Sequence, residues 1–362
     1  MRIIQILPFL TIGDAIGNHT LALHRMFLEK GYRSEIYAVA IHEKLRKEHI
    51  FSVDQLQNPD REDLCLFHAS TGSGALLPRL ASLPCTRIMI YHNITPGGFF
   101  HPYSAMAEFN ADRGYHEIRQ VIRSNLFDAC ICDSEYNQRC LLEMGFRSPI
   151  EVCPLLIPLE DYKQKPEPRI LQTWGDPQIT NWIFVGRIAP NKCHEDIIHS
   201  FYYYHRFLNQ QSRLTLVGND SGMERYHRRL TDYVTALNLS DSVHFTGHVS
   251  FPEILAWYTL ADAFVCMSEH EGFCVPLLEA MAFHVPVFAY ASSAVPETLN
   301  GSGVLFRQKD PAACAGIIHQ TLSDQGKRDQ IVAGQDRRLQ DFQPSAVGER
   351  FLSLLRPYAM LP

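Results

Sequence analysis

Two glutamates and two cations carry the chemistry that this chain could do. Glu271 and Glu279 have seven residues between them, including Gly272-Phe273-Cys274-Val275-Pro276. Pro276 suits the first position of a helix, where its missing N–H costs nothing, and Leu277 to Phe283 are mostly strong helix formers. A glycine turn running straight into a helix start presents free N–H groups and a partial positive charge, which suits a phosphate. A nucleotide's phosphates could meet those N–H groups while Glu279, read as lying in the first helical turn, accepts hydrogen bonds from ribose hydroxyls. Glu271 would then face whatever the terminal phosphate carries. Two glutamates at this separation are common by chance; the Gly, Phe, Pro and Glu-Ala-Met around them make the set more specific.

Arg187 and Lys192 form the second charged constellation, in Gly186-Arg187-Ile188-Ala189-Pro190-Asn191-Lys192. Two cations beside a helix N-terminus can neutralise a diphosphate without a metal ion. Either one alone reads as half of a surface ion pair; with Glu271 and Glu279 the binding reading wins. A third candidate is His92, in Tyr91-His92-Asn93-Ile94-Thr95-Pro96-Gly97-Gly98. A histidine ending a parallel strand lies on the edge where open α/β sheets bind ligands. The competing reading is a satisfied structural histidine. Gly13 and Asp14 belong to a glycine-containing turn, Thr11 to Asn18, that lacks G-x-G-x-x-G and so is no dinucleotide site. Its glycines would let a ligand or the opposite domain approach closely.

The elements that must position these residues alternate between strand and helix. Apolar runs at Ile3–Leu7, Ser34–Ala40, Leu64–His68, Arg87–Tyr91 and Ala129–Cys132 read as buried parallel strands. The helix after Asn18 draws its apolar face from Leu21, Leu23, Met26, Phe27 and Leu28, and segment 41–49 reads as a solvated helix face. Segment 158–178, rich in proline and lysine, reads as an interdomain linker. The alternation then restarts with strands at Trp182–Val185, Leu214–Gly218, Val243–Gly247, Ala263–Met267 and Val285–Ala289, and Ser345 to Leu355 reads as a last helix. The expected fold is α/β: two doubly wound, Rossmann-like parallel-sheet domains facing a cleft, 1–165 and 166–344.

Composition narrows the function. A chain of 362 residues suits two domains, and 46% hydrophobic with 20% charged residues describes an ordinary globular protein. A net charge of −6 argues against nucleic acid as the main partner. The 10 cysteines are scattered, without metal-type pairing, which fits reduced thiols in a cytoplasmic protein. No apolar run reaches about 20 residues, so no transmembrane segment is expected. The opening run is too short for a signal peptide. Contact with the inner face of a membrane stays open, although no strongly basic amphipathic helix points to it.

Gly186-Arg187 with Lys192, then Glu271-Gly272-Phe273 through Pro276 to Glu279-Ala280-Met281, resembles the retaining glycosyltransferases of the group-1 (family 4) class. The resemblance covers most of the second half, including Val243–Gly247 and Pro296-Glu297. It implies the GT-B fold, a nucleotide-sugar donor held mainly by the second domain, and a last helix, 345–362, crossing back to the first. Carried over by position, Arg187 and Lys192 hold the diphosphate and Glu279 the ribose. Glu271 meets the donor sugar, with Gly186 and the Gly272, Phe273, Cys274 and Val275 backbone nearby. Val249 touches the base, Gly13 lies beside the donor, and His92 faces the reacting sugar carbon, so that His92, Glu271, Arg187 and Lys192 form the catalytic set. The first-strand turn departs from adjacent glycines, which leaves the acceptor side open; Asp14 either touches an acceptor hydroxyl or caps the following helix.

The implied reaction moves a sugar from a nucleoside diphosphate sugar to a hydroxyl of a glycan, lipid-linked or small-molecule acceptor, with retention. The nucleotide sugar is a substrate, and neither a cofactor nor a metal is expected. Two other readings stand beside it: a GT-B sugar-nucleotide 2-epimerase, and a non-catalytic sugar-nucleotide-binding subunit.

Overall fold

A computed structural model describes residues 1–46, 48–57, 59–70, 72 and 76–359. The chain divides into two compact units, residues 1–97 with 109–158 and 342–362, and residues 98–108 with 159–341.

The first unit is built on strands β1 (Arg2–Leu10), β2 (Arg33–Ile41), β3 (Ile50–Ser52), β4 (Leu64–Ala69), β5 (Thr86–Tyr91), β6 (Ala129–Cys132) and β7 (Ile150–Val152). Among the described residues they form one sheet in the order β3-β2-β1-β4-β5-β6-β7, every pairing parallel. Both faces are covered, so β4 and β6 are buried along their whole length and read as continuous apolar runs. On one face, Leu23 and Phe27 of helix Ala15–Glu29 pack with Ile3, Leu64, Ile88 and Ile131, joined by Val347, Phe351 and Leu355 of helix Pro344–Leu355.

The second unit carries β8 (Thr180–Val185), β9 (Ser212–Val217), β10 (Val243–Phe245), β11 (Ala263–Cys266), β12 (Val287–Tyr290) and β13 (Val304–Phe306). Their order is β10-β9-β8-β11-β12-β13, again parallel throughout among the described residues. Strand order reverses between β8 and β11, so the loops leaving those two neighbours diverge and open a crevice at their carboxyl ends. Gly218, just past β9, is forced to be glycine: its φ is +152°, and a Cβ there would lie 1.9 Å from the Gly186 carbonyl oxygen.

Several sequence expectations need correction. Segment 158–178 is largely structured, with a 3-10 turn at Leu159–Lys163 and a helix at Pro168–Trp174 whose first turn uses Pro168. Pro168 there starts a helix, and the boundary between the two units falls at the beginning of the segment, after Pro158. The helix after the first strand begins at Ala15 and buries Gly17, His19, Thr20, Ala22, Leu23, His24 and Phe27, leaving Leu28 exposed. Segment 41–49 forms one 3-10 turn, Glu43–Leu45, with Lys47 outside the described residues. Residues 98–108 join the second unit, where Tyr103 stacks edge-on against Tyr226 at 5.0 Å.

Candidate functional site

In the second unit, the turns after β8 and β11 are stitched together at the point where strand order reverses. Glu269 N–H donates to the Asn191 carbonyl at 2.9 Å, and Asn191 Nδ2 donates to the His270 carbonyl at 3.1 Å. A 3-10 turn, Pro190–Lys192, then aims the Lys192 ammonium at Glu271, with Nζ 2.7 Å from Oε1. The Lys192 side chain is 20% exposed and that of Glu271 9%. Burial alone would pull the ammonium down; the Glu271 carboxylate outweighs it and holds Lys192 above its usual range. Glu271 is fixed from its backbone as well, its N–H donating to Ser293 Oγ at 2.8 Å. Arg187 is exposed, its guanidinium reaching the Ser221 carbonyl at 3.3 Å.

Helix Val275–Ala282 starts from Cys274, whose φ of 71° and ψ of 66° put a non-glycine residue in the left-handed region. No side chain caps this helix start, and Pro276 is its second residue, not its first. Its opening turn therefore keeps the positive end of the helix available to an anion. The Phe273 carbonyl is held by Thr298 Oγ1 at 2.6 Å, which fixes the turn that carries Gly272.

Glu279 is the fifth residue of that helix rather than part of its first turn, so the sequence register is corrected by one turn. Its two carboxylate oxygens are each taken by a tyrosine: Tyr162 Oη donates at 2.7 Å and Tyr258 Oη at 2.8 Å. Burial raises the carboxyl above its ordinary range, partly offset by the two tyrosine hydrogen bonds. Each carboxylate oxygen keeps a second lone-pair direction, so the tyrosines orient the group without exhausting it. Val249 lies in the loop after β10, beside Ser250, whose Oγ and N–H are tied to Glu253 at the start of helix Phe251–Thr259.

In the first unit, Gly13 takes φ +75°. Asp14 caps helix Ala15–Glu29, its Oδ2 accepting from Gly17 N–H at 3.0 Å. His92 is buried in the first unit, with both ring nitrogens hydrogen-bonded. Its side chain is 1% exposed, Nδ1 lies 2.8 Å from Asp133 Oδ2, and Nε2 lies 2.9 Å from His68 Nδ1. The parallel register explains the pairing: β4 and β5 end side by side, and His92 N–H donates to the Ala69 carbonyl at 2.9 Å. The chain continues from His68 Nε2 to Gln5 Oε1 at 3.1 Å and from Gln5 Nε2 to the Thr20 carbonyl at 3.2 Å. Burial and the neighbouring His92 hold His68 well below its usual range.

Residues that sequence reasoning missed fall into two kinds. His68 carried the same signal as His92, a histidine at a strand end. Tyr162, Tyr258, Asn191 and Ser293 carried none, because their roles come from contacts far along the chain.

The second unit also carries the sequence likeness. Residues 178–337 match the family described as glycosyl transferases group 1. The chain is 32% identical over 187 residues to a D-inositol 3-phosphate glycosyltransferase of Frankia alni, covering 50% of this chain and 46% of that protein. It is 29% identical over 188 residues to the protein of the same name from Kineococcus radiotolerans, covering 48% of this chain and 43% of that one. The matched stretch thus spans less than half the length of these curated relatives. The crystal structure of Anabaena HepE in complex with UDP-glucose superposes with a TM-score of 0.78 at 19% identity, covering 99% of this chain and 100% of that one. That likeness shows the shared fold, GT-B, with two Rossmann-like units. Residues 178–337 of this chain are thus similar to the group 1 glycosyl transferases, and the rest of the chain shares their fold with the solved structures.

Proposed function

We propose that the protein is a retaining, metal-independent glycosyltransferase that moves a sugar from a nucleoside diphosphate sugar to a hydroxyl of a glycan, lipid-linked or small-molecule acceptor. The observation that carries this reading is the reversal between β8 and β11. It gathers Lys192, Glu271 and an uncapped helix start at one sheet edge, with Arg187 on the same loop and Glu279 one turn behind. In this reading the helix start, Arg187 and Lys192 take the diphosphate, and Glu279, oriented by Tyr162 and Tyr258, takes the ribose. Val249 lies toward the base and Glu271 toward the sugar.

Departure of the diphosphate builds negative charge on its oxygens and positive charge on the sugar ring. Preorganised cations and N–H groups that meet the first lower the barrier. Glu271 meets the second. Lys192 sits between the two, sharing its ammonium between Glu271 and the leaving phosphate. Asp14 acts as a helix cap and Gly13 shapes the turn before it.

A hydrolysis screen of nucleoside diphosphate sugars tests the reading, with UDP-glucose first because HepE was crystallised with it. Slow release of nucleoside diphosphate and free sugar from one donor, without added metal, is the expected result. Interconversion of two sugar nucleotides, or binding without turnover, would replace it.

A further inference from the structure

Three side chains beside the proposed donor site form a group with no role in that chemistry as a set. Cys266 ends β11, Glu271 lies in the turn after it, and Cys274 starts helix Val275–Ala282. All three are buried, and their two sulfurs and a carboxylate oxygen all lie within 4.8 Å of one another. A tetrahedral zinc site with bonds of about 2.3 Å to sulfur and about 2.1 Å to oxygen separates its ligand atoms by roughly 3.6–3.8 Å. The widest pair therefore needs to close by at most about 1 Å. Cys274 reaches this position from a left-handed backbone conformation, φ 71°, that glycine would adopt without cost.

Charge favours occupancy. Two thiolates and a carboxylate carry three negative charges, a divalent cation removes two, and the nearby Lys192 ammonium, 2.7 Å from Glu271 before an ion binds, offsets the third from a longer range. The other mixed group in the unit, Cys193 with Asp196 and Glu269, differs in this respect. There the Lys309 ammonium sits 2.7 Å from Asp196 and 2.8 Å from Glu269, so a cation already fills the space. In the first group the Lys192 ammonium pairs with the carboxylate, and Cys266 Sγ lies 3.3 Å from Ser268 Oγ, a neutral partner that a soft ion can displace.

We propose that Cys266, Cys274 and Glu271 form a binding site for a thiophilic divalent cation, Zn²⁺, and that filling it draws Glu271 away from Lys192 and shuts down sugar transfer. The blocking half rests on the donor-site reading above. As the two sulfur–metal bonds form, the thiol protons pass to the buffer. Glu271 contributes a lone pair, and a water of the hydrated ion keeps the fourth position. No electron changes hands. The sulfur ligands select against Mg²⁺ and Ca²⁺, so this site does not make the reaction metal-dependent.

The test uses the full chain, reduced and treated with chelator, titrated with Co²⁺ as an absorbing stand-in and then with Zn²⁺. The expected result is one equivalent bound with thiolate-to-cobalt charge-transfer absorption, displaced by Zn²⁺ and untouched by excess Mg²⁺. Cys266→Ser and Cys274→Gly should each abolish the absorption; glycine suits the left-handed turn and serine nearly matches cysteine in size, so both variants should fold. Absorption that survives in both variants, or never appears, overturns the site and leaves the donor-site reading standing. In parallel, donor hydrolysis should fall in step with Zn²⁺ occupancy in the parent, with Cys266→Ser resisting at the same concentrations relative to its own metal-free rate. Occupancy without loss of turnover would overturn the blocking role and count against the placement of Glu271 beside the donor sugar.

Discussion

Lys192 and Glu271 stand 79 residues apart in the chain and 2.7 Å apart in space. The ion pair joins the loops of two neighbouring strands, so neither side chain is free to act alone. Glu271→Gln should keep the shape of the site and release the ammonium to the phosphates. Affinity for free nucleoside diphosphate should stay nearly intact or rise while turnover falls, because a contact to a sugar acquiring positive charge strengthens in the transition state. Calorimetry with the nucleoside diphosphate, paired with initial rates, reads both quantities. Loss of nucleotide binding would place Glu271 on the nucleotide instead.

Glu279→Ala should do the reverse. Removing the carboxylate should weaken nucleoside diphosphate binding by about 1.5–3 kcal/mol, the range for hydrogen bonds to charged groups. It also strands the hydroxyls of Tyr162 and Tyr258, so the melting temperature should fall as well. Retained affinity in a folded variant would remove Glu279 from the ribose.

Tyr258→Phe isolates the orienting bond, keeping the ring and deleting one donor to Glu279. Urea unfolding should register a loss of about 1.5–3 kcal/mol, and nucleotide affinity should drop by less than in Glu279→Ala. Affinity lost in full would mean that the tyrosine itself touches the ligand.

Acid should destabilise the fold through its buried neutral histidines. His19 and His68 are held well below the usual imidazole range and His194 is pulled to about 3, in each case first by burial. Between those values and about pH 6.5 the unfolded chain binds protons that the folded chain refuses, so stability rises with pH. From pH 7 to pH 5 His194 should cost about 2 kcal/mol, with His19 and His68 acting in the same direction. Asp133 works with the opposite sign: burial raises it, so its contribution favours the fold at low pH and fades as pH climbs through its folded value. Urea midpoints at pH 7 and pH 5 decide the balance, and His194→Phe should retain more of its stability at pH 5 than the parent. A midpoint that rises on acidification would refute the assignment.

Gly218→Ala should be severe for its size. The added methyl meets the Gly186 carbonyl at 1.9 Å in a backbone conformation that side chains avoid. A loss of about 1–3 kcal/mol from strain alone should come with weaker nucleotide binding, because Gly186 leads into Arg187. Thermal melts and nucleotide titration on the same preparation test both.

Much of the second unit could be read from the chain because its signals are local. The glycine turn between Cys266 and Pro276 and the strand end before Arg187 each announce themselves within a few residues. What could not be read depends on distant partners. Glu279 looks like a first-turn carboxylate until Cys274 is seen to start the helix, and its tyrosines come from 117 and 21 residues away. Pro168 looks like part of a linker because a helix-starting proline and a loop proline are the same letter. Gln5, inside an apolar strand, gave no hint that it ends a polar chain through His68 and His92.

That chain has a direction imposed from one end. The Thr20 carbonyl can only accept, so Gln5 turns its amide nitrogen there and its oxygen toward His68. His68 must then carry its proton on Nε2 and offer a bare Nδ1, and His92 must carry one on Nε2 to meet it. One proton remains to be shared between His92 Nδ1 and Asp133. Whether it rests on the imidazole or on the carboxyl, the assembly is neutral, and a second proton on His68 would set one N–H against another. A single backbone oxygen thereby dictates the tautomer of a ring two side chains away, and the strand ends of the first unit are locked as one proton-counting device rather than as separate histidines.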